Sequence, residues 1–329
     1  MRGTCRLILV LAVLVTLLWP GRAPAENKRL VIATATTGGT FYPVGVAIGT
    51  LISLKLAKDH GLTATAEPSA GSGENLALLR EGKADLAILQ ALYGQNAFQG
   101  IGAFQGDPFH GFAAVSMLWE NVEHFILRAN LPRSGSIEDL KGLDQPFSLG
   151  PRESGSEGSS RVLLKAVGVD PDTDLVLTPL DYSTSAKAVV EGSLAGASLP
   201  GGPPVTAVSQ IFAQATAQNA VILEITDTQL EAIQKSNPIW SRYIIEPGTY
   251  PGQDRPVRTA SQPNVLVCRA DMDEETVYLI TRTIYENLPF LQSIHDATRA
   301  MRLDRATQGL PAPLHPGAAR YFREVGALP

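Results

Sequence analysis

The stretch ATATTGGTFYPVGVAIGTLI, Ala33 to Ile52, joins a β-type run to a helical one through Thr36-Thr37-Gly38-Gly39-Thr40. Leu30 to Ala35 reads as a strand. Val44, Ile48, Leu51 and Ile52 then recur at helical spacing. Thr40 is placed to cap that helix, and Pro43 falls in its first turn, where a missing N–H costs little. A helix begun this way turns unpaired N–H groups and the positive end of its dipole toward whatever lies beyond the strand. Either an anion sits there, or the small residues only make the turn.

The same unit recurs. Leu62 to Gln90 reads as a strand, a loop Ser69-Ala70-Gly71-Ser72-Gly73, a short helix through Leu76 and Leu79 that stops at Gly82, and a buried strand Leu86 to Leu89. Pro146 to Gly168 repeats it, with Leu163, Leu164 and Val167 on the helix and Gly168 as its stop. Leu175 to Leu199 is a fourth case. Glu81-Gly82-Lys83-Ala84-Asp85-Leu86-Ala87 is echoed by Glu191-Gly192-Ser193-Leu194-Ala195-Gly196-Ala197, each a helix end, a glycine stop and a small-residue strand. Two α/β lobes follow, each opening with a β-α-β-α-β run. Glu120–Phe125 and roughly Trp240–Asn264 are the expected crossovers. Asp273–Gln292, Ile294–Ala306 and His315–Val325 are read as helices, with the C-terminal part packing back on the first lobe.

At 329 residues, two domains fit better than one, and 44% hydrophobic against 18% charged residues allows a sizeable core. A net charge of −5 without a Lys/Arg run gives no support to nucleic-acid binding. Arg2 and Arg6, the apolar run Leu7–Trp19 and Ala23-Pro24-Ala25 have the order of a signal peptide, cut after Ala25. A retained anchor is the alternative, though the run is short for a bilayer, and no other apolar run is long enough to span one. Cleavage removes three arginines and no acid, taking the charge from −5 to −8. Cys5 leaves with the leader. Cys268, in a run read as a buried strand, has no partner for a disulfide and reads as an inert core thiol.

Enzyme motifs are not found. The run Gly71-Ser72-Gly73-Glu74-Asn75-Leu76 lacks the third glycine of a dinucleotide fingerprint, and Gly82-Lys83 is followed by Ala84, not by the Ser or Thr of a P-loop. Gly196-Ala197-Ser198-Leu199-Pro200 fails as a nucleophile elbow. Scattered histidines give no zinc pattern, so neither metal nor cofactor is expected. Glu120 and Glu123, near a crossover, read as solvated or hinge carboxylates. What remains is chemistry suited to an anion: Thr37-Gly38-Gly39-Thr40, Ser72-Gly73-Glu74-Asn75 and Ser154-Gly155-Ser156 each offer backbone N–H groups and hydroxyls at a helix start. Each is also an ordinary capped turn when taken alone. Tyr42, Tyr93 and Tyr182 follow strand-end loops, where core packing and ligand contact are both open. Arg152 is the basic residue placed in such a loop, as an anion's counter-charge or as a surface pair with Glu153.

ATTGGTFYPVG, SAGSGENLALLREGKADLAILQ and DLKGLDQPFSLGPRESGSEGSSRVLLKAVGV resemble the TAXI solute receptors of TRAP (tripartite ATP-independent periplasmic) transporters. IIEPGTYPGQ and PLHPGAARYFREVG extend the resemblance over nearly all of the mature chain. It implies a type II-like periplasmic binding protein of two α/β lobes, with a hinge and an interdomain cleft. It implies capture of a small organic anion, such as glutamate or 2-oxoglutarate, for a TRAP membrane permease. By motif it puts Gly39, Thr40, Phe41 and Tyr42 in a first binding loop, Ser72, Gly73 and Asn75 in a second, and Gln90 at the next strand end. The chain departs from the family pattern at Gln90-Ala91-Leu92-Tyr93, where Gln-Ser-Asp is frequent, at Ala195, where an acid is usual, and in the loop Pro200-Gly201-Gly202-Pro203-Pro204.

The expectation is a monomeric, periplasmic, non-enzymatic receptor. Residues 1–25 form the signal peptide, 26–121 with 246–329 the first lobe, and 122–245 the second. The expected ligand contacts are Gly39, Thr40, Phe41, Tyr42, Ser72, Gly73, Asn75, Gln90, Tyr93, Arg152, Ser154, Ser156, Tyr182 and Gly201. An exported sensor on the same scaffold is the alternative. A cytoplasmic regulator's effector domain lacks support, because a leader stands where a DNA-binding helix-turn-helix belongs.

Overall fold

The computed structural model describes residues 27–214 and 220–329, so the leader lies outside the described residues. The chain opens with β1 (Lys28–Ala33), α1 (Phe41–His60), β2 (Leu62–Glu67), α2 (Ser72–Arg80), β3 (Leu86–Gln90) and α3 (Ala91–Gln99). The long β4 (Phe112–Val122) leads almost directly into β5 (Phe125–Arg128). Next come β6 (Pro146–Ser148), α4 (Gly155–Ala166), α5 (Pro171–Asp174), β7 (Val176–Leu177), α6 (Tyr182–Val190), β8 (Gly196–Ser198), α7 (Thr206–Gln214), β9 (Ala220–Leu223) and α8 (Asp227–Ser236). β10 (Ser241–Ile245), β11 (Val257–Arg269), α9 (Glu274–Glu286), α10 (Leu288–Ile294) and α11 (Pro316–Glu324) complete it.

Two sheets result. The first has the order β10-β11-β3-β1-β2 with β4 also on β11, and the second the order β7-β6-β8-β5-β9. β1 pairs in parallel with β2 and β3, while β11 runs antiparallel to β3 and β4. Both faces of each sheet are covered, which is why the strands read as apolar runs rather than alternating ones. Leu30, Ile32, Ile48, Ile52 and Ile280 belong to one face of the first sheet, and Leu76, Leu89 and Val265 to the other. Phe125, Leu127 and Leu163 pack on one side of the second sheet, and Ile126, Val189 and Val208 on the other. This is the two-lobed α/β architecture expected. By length and composition α1 would pass as a membrane span, but about half of it is buried inside the fold, where it packs on β2 and α9.

The echoed heptapeptides make the same structure. After α2, the N–H groups of Lys83 and Ala84 both donate to the Leu78 carbonyl; after α6, those of Ser193 and Leu194 both donate to the Ala188 carbonyl. Gly82 and Gly192 take positive φ (68° and 78°), the left-handed stop that glycine allows.

Two expectations change. The helix read over Asp273–Gln292 is two helices, broken at Asn287 (φ −128°), because Pro289 has no N–H to continue the ladder. Asn287 closes the first by donating from Nδ2 to the Thr283 carbonyl at 2.8 Å. The helix read over Ile294–Ala306 is a 3₁₀ turn, Asp296–Ala300, followed by turns that bring Arg305 to Glu120. β10 and β11 pair within the first sheet, yet Ile245 and Tyr250 belong to the core against the second, and Val257 packs on it. Cys268 is buried in β11, and burial pushes its thiol well up, away from reactivity. α3, α7 and α8 had not been singled out from sequence, although Thr226 and Gln229 form a capping box at α8.

Candidate functional site

Four helices from two lobes begin at one small cavity. It is lined by Gly39, Thr40 and Phe41 at the start of α1, Gly71 and Ser72 at α2, Gly155 and Ser156 at α4, and Tyr182 at α6. Gln90 and Asn121 come from the ends of β3 and β4, and Ala35, Thr36, Ala70 and Pro200 complete the wall. Each helix begins where a strand has ended, which is where ligands of open α/β sheets bind. The cavity holds about 30 Å³, and among the described residues no charged side chain lines it. Its positive character comes from the helix N-termini.

The hydroxyls expected to face a ligand are partly committed to the protein. Thr40 does not cap α1; its hydroxyl donates across the cleft to the Gly202 carbonyl at 2.8 Å. Ser72 Oγ accepts from the Gln90 backbone N–H at 3.0 Å, and the Tyr182 hydroxyl donates to the Pro200 carbonyl at 2.7 Å. Ser156 Oγ lies 2.9 Å from Ser154 Oγ, which also accepts from the Glu157 N–H as the α4 cap. Gln90 Oε1 accepts from Gln262 Nε2 at 3.3 Å. Asn121 Oδ1 accepts from Asn264 Nδ2 at 3.3 Å, which leaves Asn121 Nδ2 a buried donor without a partner among the described residues. Asn121 was missed from sequence because it sits inside β4, with no local motif, and reaches the cavity only through the crossover.

Seven expected contacts do not line the cavity. Tyr42, the second residue of α1, is not among the lining residues. Asn75 is a structural clamp: its Nδ2 donates to the carbonyls of Thr34 (2.6 Å) and Ile88 (2.8 Å), tying the ends of β1 and β3 to α2. Tyr93 packs against Gly158 and Phe104, and burial, aided by the charge of Glu157, pushes its hydroxyl up to about 12. Ser154 is the cap already described. Arg152 is exposed and lies beside Glu157, Arg161 and Thr178 in a separate surface dent. Gly73 touches the opposite lobe: a Cβ there would overlap the Glu153 carbonyl. Gly201 stands at the rim, its N–H and carbonyl paired with Val122 and its Cα beside Thr40.

The lobes therefore meet around the cavity. Besides Thr40 and Gly202, the Ala207 N–H donates to the Gly38 carbonyl at 3.1 Å, and Gly155 abuts Ser72. Gly71, with φ 119°, takes a backbone shape that L side chains avoid, and this lets Ser72 start α2 at the cavity edge.

Of the two readings of Glu123, a solvated or a hinge carboxylate, the solvated one does not hold. It is fully buried, and burial pushes its carboxyl up to about 8. Glu120 points the other way, to Arg305. Next to Glu123, His124 is buried between the Val122 carbonyl (Nδ1, 2.8 Å) and the Tyr250 hydroxyl (Nε2, 2.7 Å), and burial pushes it down to about 4.

The profile of the NMT1-like family matches residues 32–326. Among solved structures, the periplasmic binding protein BugD is similar with a TM-score of 0.54 at 12% identity, over 91% of this chain and 96% of that one. A protein of Bordetella bronchiseptica RB50 gives 0.52 at 14%, over 92% and 89%. XAC2383 from Xanthomonas citri, solved bound to ATP, gives 0.51 at 14%, over 91% and 96%. At these identities the likeness is one of fold.

Proposed function

Because the chain belongs to the NMT1-like family and has the fold of periplasmic binding proteins, we propose that it is an exported receptor that captures a small organic anion between its lobes. It binds without turnover and passes the solute to a membrane permease of the TRAP type, as the TAXI resemblance implies. In this reading residues 26–121 and 261–329 make the first lobe and 122–260 the second. The hinge lies where β4 enters β5 and where β11 returns.

The observation that carries the proposal is the convergence of the N-termini of α1, α2, α4 and α6 on one cavity. Helix dipoles supply about 0.3–1 kcal/mol each, up to about 2 when partly buried. Each hydrogen bond to a charged group adds about 1.5–3 kcal/mol. Several together suffice for micromolar binding, about −8 kcal/mol, after association costs. A cavity of about 30 Å³ holds little more than two water molecules. An amino acid or oxoacid thus needs the lobe contacts to part before it enters, which is the hinge motion of such receptors.

A thermal-shift screen of mono- and dicarboxylates, amino acids and 2-oxoacids on the mature protein tests this. A native-state ligand at a hundred times its Kd stabilises by about 2.7 kcal/mol and raises the melting temperature. A panel with no shift at millimolar concentration would remove the organic-anion reading.

A further inference from the structure

β11 runs between β3 and β4 and carries two carboxamides on one face, Gln262 and Asn264. In the register Gln262 lies opposite Asn121 on β4, and Asn264 opposite Gln90 on β3. The side chains cross these pairings along the diagonals, which long side chains can span. Gln262 Nε2 donates to Gln90 Oε1 at 3.3 Å, and Asn264 Nδ2 to Asn121 Oδ1 at 3.3 Å. All four residues are buried, and the two acceptors, Gln90 and Asn121, are the ones that line the cavity.

Which end of a carboxamide faces a ligand is decided by what holds its other end. α3 begins at Ala91, and Gln90 before it makes no side-chain cap. The Leu92 N–H, one of the donors that a helix start leaves unpaired, is taken instead by Gln262 Oε1 at 2.9 Å. A backbone N–H can only donate. Gln262 must therefore turn its oxygen to Leu92 and its Nε2 to Gln90, and Gln90 must answer with Oε1. The remaining end of Gln90, Nε2, is left for the cavity. The amide of Gln90 lies beside the start of α4, where a Cβ on Gly155 would come within 2.9 Å of its carboxamide carbon. The Asn264–Asn121 pair has no such backbone anchor among the described residues, since Asn264 Oδ1 is buried without a partner.

We infer that Gln262 is a positioning residue of the receptor: anchored on the Leu92 N–H, it fixes Gln90 as a hydrogen-bond donor toward the cleft, so that this place takes a ligand oxygen with free lone pairs and refuses a ligand N–H. The inference rests on the receptor function proposed above. A donor whose direction is set before the ligand arrives need not be ordered by binding, which saves affinity.

The test is a double-mutant cycle on the mature protein, with Gln90→Met, Gln262→Met and both together, read by calorimetry. Methionine keeps the length of the side chain and removes its hydrogen bonds. The probes are L-glutamate, 2-oxoglutarate, succinate and pyruvate. For the probe that wild type binds most tightly, Gln90→Met should lose about tenfold in affinity and Gln262→Met about fivefold. The double variant should bind within about twofold of Gln90→Met, because Gln262 acts through Gln90. A residue that only supported the fold would add its own loss to that of Gln90→Met. Losses that multiply in the double variant, or a folded Gln262→Met that binds undiminished, overturn the inference and leave the receptor standing. In wild type, the Nε2 side-chain amide NMR signals of Gln90 should move when the probe saturates the protein; signals that stay in place overturn the inference even if neither variant folds. If none of these probes and no other anion binds wild type, the receptor function falls and takes the inference with it.

Discussion

The Thr40 hydroxyl on the first lobe donates to the Gly202 carbonyl beyond β8 at 2.8 Å, and both residues are buried. This bond spans the cleft at the mouth of the cavity. A buried hydrogen bond is worth about 1 kcal/mol net, and losing the donor leaves the carbonyl unsatisfied. Thr40→Val keeps the side-chain shape. It should shift the lobes about fivefold toward the open form. Small-angle scattering should show a larger radius of gyration for the variant; a profile identical to wild type would mean that the bond does not hold the cleft.

Gly73→Ala is expected to act more strongly. Its methyl group would occupy the space of the Glu153 carbonyl on the other lobe. The backbone at Gly73 is otherwise helical, so the helix itself tolerates alanine well. The variant should keep its melting temperature within a few degrees and be held open by scattering. A closed variant with normal stability would show that the two loops slide past each other without cost.

Asn121→Ala and Arg152→Ala should separate. Asn121 carries a buried donor at the cavity that has no partner among the described residues, whereas Arg152 is exposed beside Glu157 and Arg161. For any anion found by screening, Asn121→Ala should cost about tenfold in affinity, about 1.4 kcal/mol. Arg152→Ala should stay within about twofold. The opposite ranking by calorimetry would move the anion site toward the α4 surface.

Two buried groups give stability opposite pH slopes. Glu123 is raised to about 8 in the folded chain, against about 4.3 unfolded, so the folded state binds the extra proton between those values. Its burial therefore costs stability progressively as pH rises from about 4.3 to about 8, by up to a few kcal/mol. His124 is lowered to about 4, so its burial costs stability as pH falls from about 6.5 to about 4. Glu123→Gln should melt higher than wild type at pH 8, with the gain vanishing near pH 4.5. Denaturant titration across this range checks the slope, and a gain that does not change with pH would place the carboxyl in water.

The β-α-β units were legible because local chemistry made them. Glycine stops, apolar spacing and the echoed heptapeptides specify the same turn twice, wherever it is placed. The cavity loops at Gly39–Phe41, Ser72 and Ser156 were legible for the same reason: small residues at a helix start. The His315-Pro316-Gly317 block is equally distinctive in sequence yet serves the fold. His315 accepts from the Gly317 N–H at 3.2 Å and fixes the start of α11. What sequence hid depends on contacts between distant segments. Asn121 and Glu123 acquire their surroundings only when β4 crosses between sheets. Thr40 looked like a cap because its position is right for one, but a carbonyl from the other lobe takes its hydroxyl. Arg152 follows a strand like the cavity loops, yet its backbone turns the guanidinium outward before α4 begins.

The pairing of β11 with β3 has a consequence for how the molecule is made. Every strand of the second sheet lies between Phe125 and Leu223, so that sheet can assemble from one contiguous stretch of chain. The first sheet cannot: β11 must join β3 and β4 after the whole second lobe has been synthesised, and Gln90 meets Gln262 from 172 positions away. Closing so long a loop slows assembly, and it leaves the edge of β3 unpaired until the last third of the chain arrives. Until then the early segment, with α1 as its most apolar helix, is the part most in need of protection from aggregation. The cavity, which draws on both sheets, is among the last features to form.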